Sequence, residues 1–362
     1  MPASEGANYT PAPMPRPVVG PDEFVFAAAH LDHGHIYAMS EGLIGAGATL
    51  KWVYDPDPAK VEAFRTRFPQ ARVASSELEI LDDPDVRLVA GAAVASERAD
   101  FGLRVISAGK DYFTDKPPLT TLEQLEDVRQ ATARTGLKYA VYYSERIHVE
   151  AAVLAGQLIE QGAIGKVLQV TCLGPHRIGD PGTRPDWFFE RDKFGGILCD
   201  LGSHNFEQML YFAGARDADV ASASVANHAH PEHPAFEDFG DAHIVMDNGA
   251  TGFARVDWFT PSGLSTWGDG RTIILGAEGY IELRKYVNIA TGPGGGHVFL
   301  VNDDGEQHID ATGQVGYPFF GDLIRDCINR TETAMTQEHA LKAAELSVRA
   351  QLAARDVTPT IR

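Results

Sequence analysis

Between residues 24 and 143 the chain alternates short, unbroken apolar runs with segments of helical apolar spacing, and few folds accommodate that pattern. Phe24 to Ala29, Leu50 to Tyr54, Leu88 to Ala93, Asp111 to Thr114 and Lys138 to Tyr143 read as strands. Several of these runs lack the polar alternation of a half-exposed strand, so they suit a sheet covered on both faces. Between them, Ile36, Met39 and Leu43, and then Phe101, Val105 and Ala108, recur at helical spacing, the second set stopped by Gly109. Thr120 with Glu123 reads as a capping box before a helix carrying Leu122, Leu125 and Val128. Strands separated by helices in this way predict a parallel, doubly wound α/β sheet of the Rossmann type.

Past residue 145 the style changes. After one helix and a strand at Lys166 to Leu173, most segments from Val220 to about Asn302 read as strands separated by turns such as Asp247-Asn248-Gly249. This predicts a large, mostly antiparallel open sheet, with a return to helix from Phe319 to Ala354. A length of 362 residues suits two domains. The expected division is an extended arm over 1–22, a dinucleotide-binding domain over 23–145 and an α/β domain over 146–362, its C-terminal helix packing back on the first domain.

The 50 Asp and Glu outnumber the 31 Lys and Arg, for a net charge of -19, which excludes the basic footprint that nucleic acid or an anionic membrane requires. No apolar run reaches the roughly 18 residues that span a bilayer, and the N-terminus lacks the pattern of a secretory signal. Cys172, Cys199 and Cys327 form no C-x-x-C pair, so neither a disulfide framework nor a zinc-thiolate site is expected, and a cytoplasmic location is.

The first strand-to-helix turn is Ala29-His30-Leu31-Asp32-His33-Gly34, where G-x-G-x-x-G would bind a diphosphate. Only the third glycine, Gly34, is present, and Leu31 replaces the glycine that lets the backbone approach the phosphates. His30, Asp32, His33 and His35 crowd this turn. Ligands so closely spaced on a tight turn should point apart, so no metal site is expected; histidines donating to phosphate oxygens, or packing in the turn, are the alternatives. Asp55, at the end of the second strand, stands where an acid bonds a ribose 2′-hydroxyl and favours NAD over NADP, unless it only caps the turn. Lys116, in Thr114-Asp115-Lys116-Pro117, ends a parallel strand, where ligands of such sheets bind. Asp200 and His204, four apart, would share a helical face opposite the stripe Phe206, Met209, Leu210 and Ala213, an acid and an imidazole suited to proton transfer. A surface ion pair is the plain alternative.

Together these stretches resemble the glucose–fructose oxidoreductase/inositol dehydrogenase (Gfo/Idh/MocA) family. Ala108-Gly109-Lys110 through Asp115-Lys116-Pro117 is similar to A-G-K-x-x-x-x-E-K-P with Asp for Glu. Gly162-Ala163-Ile164-Gly165-Lys166-Val167 is similar to G-x-I-G-x-[IV], and Trp187 with Gly195 to His204 to W…G-G-x-x-x-D-x-G-x-H. Asp238 and Gly276-Ala277-Glu278-Gly279 match weaker family features. The chain departs from the family at the phosphate loop and at Ala93-Val94-Ala95-Ser96-Glu97-Arg98, where T-P-N-x-x-H is usual.

The resemblance implies NAD, with NADP possible, and a sugar, cyclitol or other polyol substrate. It implies that His204 accepts the proton of the substrate hydroxyl, Lys116 holds that hydroxyl and the nicotinamide ribose, and Asp200 positions the substrate. His30, Leu31, Asp32, His33, Gly34 and Asp55 would line the cofactor. Arg146, His176, Arg177 and Trp187, with Arg184 and Asp186 beside them, are suited to an acidic or hydroxylated substrate, or else to salt bridges with the many acids. The open sheet implies a homodimer or homotetramer. A redox-neutral family member (lyase, epimerase or glycoside-cleaving enzyme) using the same Lys/Asp/His set is the first alternative, and a non-catalytic binding module the second.

Overall fold

The computed structural model describes residues 16–291 and 294–359. The described residues divide into two compact units, 16–142 with Gly316–Leu341, and 143–315 with 342–359.

The first unit holds a six-stranded parallel sheet: β1 (Val25–Ala29), β2 (Thr49–Tyr54), β3 (Arg72–Val73), β4 (Val86–Gly91), β5 (Asp111–Thr114) and β6 (Tyr139–Val141). Their order is β3-β2-β1-β4-β5-β6, the doubly wound arrangement the sequence predicts. β1 is buried at every position, as its apolar run requires, and so is β5 despite Asp111 and Thr114 at its ends. β3 carries no signal of its own, being two exposed residues long.

The helix of the capping box spans Leu122–Thr135, and its cap is Thr121, one residue later than the spacing suggests. Thr121 accepts from Gln124 N–H, and Gln124 in turn accepts from Thr120 N–H, so Gln124 takes the place foreseen for Glu123. The helix Pro318–Asn329 joins this unit by laying Phe320 on Gly42 of the helix His35–Gly45. A Cβ on Gly42 would lie 2.2 Å from that ring, so only glycine admits this approach. Of the arm proposed for 1–22, residues 1–15 lie outside the described residues; beyond them, Val18 N–H bonds Ala46 O at 2.8 Å.

The second unit holds a nine-stranded sheet: β7 (Val167–Pro175), β8 (Ala218–Ala226), β9 (Phe239–Met246), β10 (Thr251–Asp257), β11 (Arg271–Gly276), β12 (Gly279–Arg284), β13 (His297–Asn302), β14 (Gly305–Asp310) and β15 (Arg355–Asp356). Its order is β14-β13-β12-β11-β7-β10-β9-β8-β15. All pairs are antiparallel except β7 with β10 and β8 with β15. The helix Gly202–Ala213 covers one face, packing on β7 and β10. Among the described residues no helix is long and apolar enough to cross a membrane.

Candidate active site

In the first unit the turn after β1 lies at the switch point, between strands whose connections run to opposite sides of the sheet. His30 takes φ 56°, a left-handed conformation uncommon outside glycine. Its Nε2 lies 2.9 Å from Glu77 Oε2, and its ring packs edge-on against Phe101. Asp32 accepts from Lys60 Nζ at 2.6 Å. His33 and His35 both turn inward to Asp115, their Nδ1 atoms each 2.7 Å from one of its carboxylate oxygens. The expected divergence of these side chains therefore holds for His30 and Asp32 and fails for His33 and His35. A single buried carboxylate gathers those two, and the three ligand-type atoms lie within 4.8 Å of one another.

Asp55 is buried and bonds the main chain through both oxygens, Oδ2 accepting from Leu31 N–H at 2.6 Å and Oδ1 from Asp57 N–H at 2.8 Å. It therefore caps its turn and also ties β2 to the phosphate loop. Each oxygen keeps a second lone pair, so a ribose hydroxyl can still be accepted. Gly34 opens the helix His35–Gly45, where first-turn N–H groups favour an anion.

Lys116 follows β5, is buried, and begins a cis Lys116–Pro117 peptide. Arg98 fixes this turn: Nε donates to Ala93 O at 2.7 Å, while Nη1 donates to Lys116 O and to Pro117 O. Arg98 also sits 3.1 Å from Asp115 Oδ2. The departure at Ala93 to Arg98 thus supplies the clamp on the lysine turn, a role the motif comparison missed. Burial opposes the charge on Asp115, but His35, Arg98 and His33 outweigh it and hold the carboxyl well below its usual range. Burial lowers His33 to about 4, against the smaller opposing pull of Asp115.

In the second unit, Gly195 and Gly196 take φ 87° and 95°. This turn presents Ile197 N–H to Glu237 Oε2 and Leu198 N–H to Gln351 Oε1, both at 2.8 Å, capping the helix Ile197–Asp200. Asp200 and His204 are consequently on successive short helices, joined through Leu201, rather than on one. Asp200 is half-buried, while His204 is buried together with Ser203, Asn205, Glu207 and Gln208. The polar side of Gly202–Ala213 is therefore interior, not a solvated face.

What makes this interior tolerable is a set of partners the sequence reading did not find. Lys285, following β12, donates to Glu145 Oε2 at 2.7 Å, and both side chains are essentially inaccessible. Gln208 donates to His204 O at 3.0 Å and to Glu145 Oε2 at 3.5 Å, and accepts from Thr272 Oγ1 at 3.1 Å. Burial pushes Glu145 up, but Lys285, His204 and His176 together bring it down to about 2. His204 and His176, two residues expected in the site, are thus gathered around one ionised carboxylate.

His176 packs against Trp267 and Trp258, with ring centroids 4.3 and 5.4 Å away. Trp187 is half-buried on the short turn Asp186–Phe189. The two arginines are largely accounted for within the unit. Arg177 Nη2 donates to the carbonyls of Pro261, Leu264 and Thr266. Arg146 pairs with Glu207 at 2.5 Å beneath the ring of Tyr211. Their burial is explained by loop and helix packing without a substrate.

Two family descriptions match. "Oxidoreductase family, NAD-binding Rossmann fold" covers residues 28–143, and "GFO/IDH/MocA C-terminal domain" covers 153–282. The chain belongs to the Gfo/Idh/MocA oxidoreductase family. A crystallised protein from Erwinia carotovora atroseptica SCRI1043, provisionally described as an oxidoreductase, is 51% identical, with a TM-score of 0.90 over 92% of this chain and 100% of that one. The scyllo-inositol 2-dehydrogenase (NAD(+)) of Bacillus subtilis (strain 168) is 27% identical over 68% of this chain and 70% of its own length. Levoglucosan dehydrogenase of Pseudarthrobacter phenanthrenivorans is 28% identical over 45% of this chain and 42% of its own length.

As a Gfo/Idh/MocA chain it is an oxidoreductase with an NAD-binding Rossmann fold, and the residues of the first unit fit that cofactor. The switch point, the buried carboxylate of Asp55 and the helix start at Gly34 are in place. Two of the loop's main-chain donors have internal acceptors, Leu31 N–H on Asp55 and His33 N–H on Ala92 O at 3.0 Å.

Proposed function

We propose that this chain oxidises, reversibly, a secondary alcohol on a sugar, cyclitol or related polyol, with NAD preferred to NADP. Carrying this reading is the retention of Lys116, Asp200 and His204 in a chain whose two halves both match the family. Lys116 and His204 are buried and Asp200 half-buried, so a surface ion pair does not explain them. His204 takes the proton of the substrate hydroxyl, Lys116 holds that hydroxyl and the nicotinamide ribose, and Asp200 positions the substrate. Bound nicotinamide supplies the hydride acceptor. The buried Asp55 carboxylate accepts ribose hydroxyls and repels a 2′-phosphate, which sets the preference for NAD. His176 on its two tryptophans, with Trp187, offers apolar surface to a sugar ring. The polyol class rests on the names of the inositol and levoglucosan dehydrogenases.

The test is a panel of inositols, aldoses and anhydrosugars with NAD+ and with NADP+. Reduced nicotinamide is expected with at least one polyol, and faster with NAD+. NADH binding without net redox turnover on any of them would shift the reading to a redox-neutral reaction.

The open sheet suits a second copy of the chain. Phe253, Ile273, Leu275 and Tyr280 are exposed, and the register sets Phe253 and Ile273 on either side of Thr171, with Leu275 beside Tyr280. Such a face on a monomer is unusual. Light scattering after size exclusion is expected to give a dimer or tetramer, and Phe253→Glu with Ile273→Glu to give monomers. A monomeric wild type would remove this proposal. No disulfide joins the three cysteines, all buried, which suits a reducing cytoplasm; a cell-fractionation experiment finding the protein outside it would reject that placement.

A further inference from the structure

His204 lies on a short segment that has to be held at both ends. It opens on Gly195 and Gly196, with φ 87° and 95°, and runs through the one-turn helix Ile197–Asp200 into the start of Gly202–Ala213. Glu237 and Gln351 fix its beginning by accepting the N–H groups of Ile197 and Leu198. Gln208, one helical turn beyond His204, fixes its end.

The surroundings of Gln208 leave its side-chain amide a single orientation. Nε2 lies 3.0 Å from His204 O and 3.5 Å from Glu145 Oε2, and neither a carbonyl nor an ionised carboxylate can donate. That end is therefore the NH2, with one hydrogen for each acceptor. Oε1 then accepts, and Thr272 Oγ1 donates to it at 3.1 Å. The competing acceptor for that hydroxyl, Cys172 Sγ at 4.0 Å, is a weak one. Thr272 and Gln208 are both wholly buried, and Lys285 completes the network by donating to Glu145 at 2.7 Å. A buried polar network rigidifies its surroundings when its members are satisfied, and each donor and the acceptor of this amide has a partner. The amide thus ties the His204 carbonyl to β11, which carries Thr272, and to the helix Ser144–Ile147, which carries Glu145. A helical side chain leans over the turn before it, so the direction of the His204 imidazole depends on how this first turn is held.

We propose that Gln208, oriented by Thr272, is a positioning residue that keeps the His204 imidazole aligned with the proton of the substrate hydroxyl. This rests on the reading that His204 is the general base of a polyol oxidation. An amide neither gives nor takes a proton at neutral pH, so the part of Gln208 is geometric.

Thr272→Val removes the hydroxyl at nearly constant shape, and Thr272→Ser keeps it. Both are assayed with NAD+ and the inositol or sugar that wild type oxidises fastest. Thr272→Val is expected to lower kcat by about 10- to 100-fold, the cost of a small misplacement of a reacting group. KM for the polyol and Kd for NADH should stay within about twofold of wild type, and Thr272→Ser should bring kcat back to within about threefold. Added to His204→Asn, Thr272→Val should cost nothing further in kcat, because the base it helps to place is gone. Gln208→Leu, if it folds, should match Thr272→Val. A role in packing alone would lower the melting temperature and leave kcat of the folded protein unchanged. Wild-type kcat in Thr272→Val therefore overturns this inference, as does a loss that Thr272→Ser fails to recover or that adds in full to the loss in His204→Asn. Those results leave the oxidation reading standing, whereas a wild type that oxidises no polyol overturns both.

Discussion

Replacing His204 by Asn is expected to lower kcat about 10²- to 10⁴-fold, the range for a positioned general base, while NADH binds within about threefold of wild type. Asn keeps a polar side chain in the buried helix Gly202–Ala213 but cannot accept the proton at neutral pH. His204 O accepts from Gln208, a main-chain bond that the substitution leaves in place. Lys116→Met should cause a loss of similar size, and should also weaken cofactor binding, because the role proposed for that lysine includes holding the nicotinamide ribose. Arg98 grips the backbone of Lys116 and Pro117, so the turn keeps its path without the ammonium. Steady-state kinetics and a separate NADH titration check this pair. Wild-type kcat in His204→Asn would remove His204 from proton transfer. Equal collapse of turnover and of folding, seen by circular dichroism, would make both substitutions structural.

Lys285→Met is expected to destabilise the protein by about 3–5 kcal/mol, because it leaves the Glu145 carboxylate buried without its main partner. Both side chains are inaccessible, so water does not take the place of the lost ammonium. The double substitution Lys285→Met with Glu145→Gln removes the orphaned charge and should recover much of the loss. The pH dependence has a definite sign. Glu145 titrates at about 2 in the folded chain, below its ordinary 4.5. Its contribution to stability is therefore complete above about pH 4.5 and disappears as pH falls toward about 2. In Lys285→Met burial dominates instead, so over the acid range stability should fall less steeply than in wild type. Denaturant melts of the three variants across this range check both points. A Lys285→Met protein as stable as wild type would show that the pair contributes nothing.

Several parts of this account were legible in the sequence because they depend on local pattern. The unbroken apolar runs mark the parallel sheet, since a strand covered on both faces has no polar alternation to hide. Gly195-Gly196 and the Asp200 to His204 spacing mark the segment to which we assign proton transfer. What the sequence left obscure depends on partners far along the chain. Nothing local indicates that Gln351 and Glu237 cap the helix Ile197–Asp200, or that Lys285 reaches Glu145. Without those partners a surface ion pair stands as an alternative for Asp200 and His204, whereas the polar side of Gly202–Ala213 is interior. The same holds for the histidine turn, where the spacing of His33 and His35 suggests divergence until Asp115 is known to lie between them. β14 went unread because its side chains are nearly all exposed, so it carries no apolar alternation. Arg146 and Arg177 read as substrate ligands because arginine suits anions. Salt bridges are the alternative, and in the structure Arg146 bonds a buried glutamate while Arg177 bonds a set of loop carbonyls.

Hydride transfer from a polyol carbon is the central claim, and isotopic labelling follows it directly. The purified protein would be incubated with NAD+ and with an inositol or sugar bearing deuterium on its carbinol carbons, and the nicotinamide examined by mass spectrometry and NMR. The account predicts deuterium at nicotinamide C4, one atom for each substrate carbonyl formed, with the label absent in His204→Asn. Conversion of the polyol with no label reaching nicotinamide, in a protein shown to bind NADH, would contradict it.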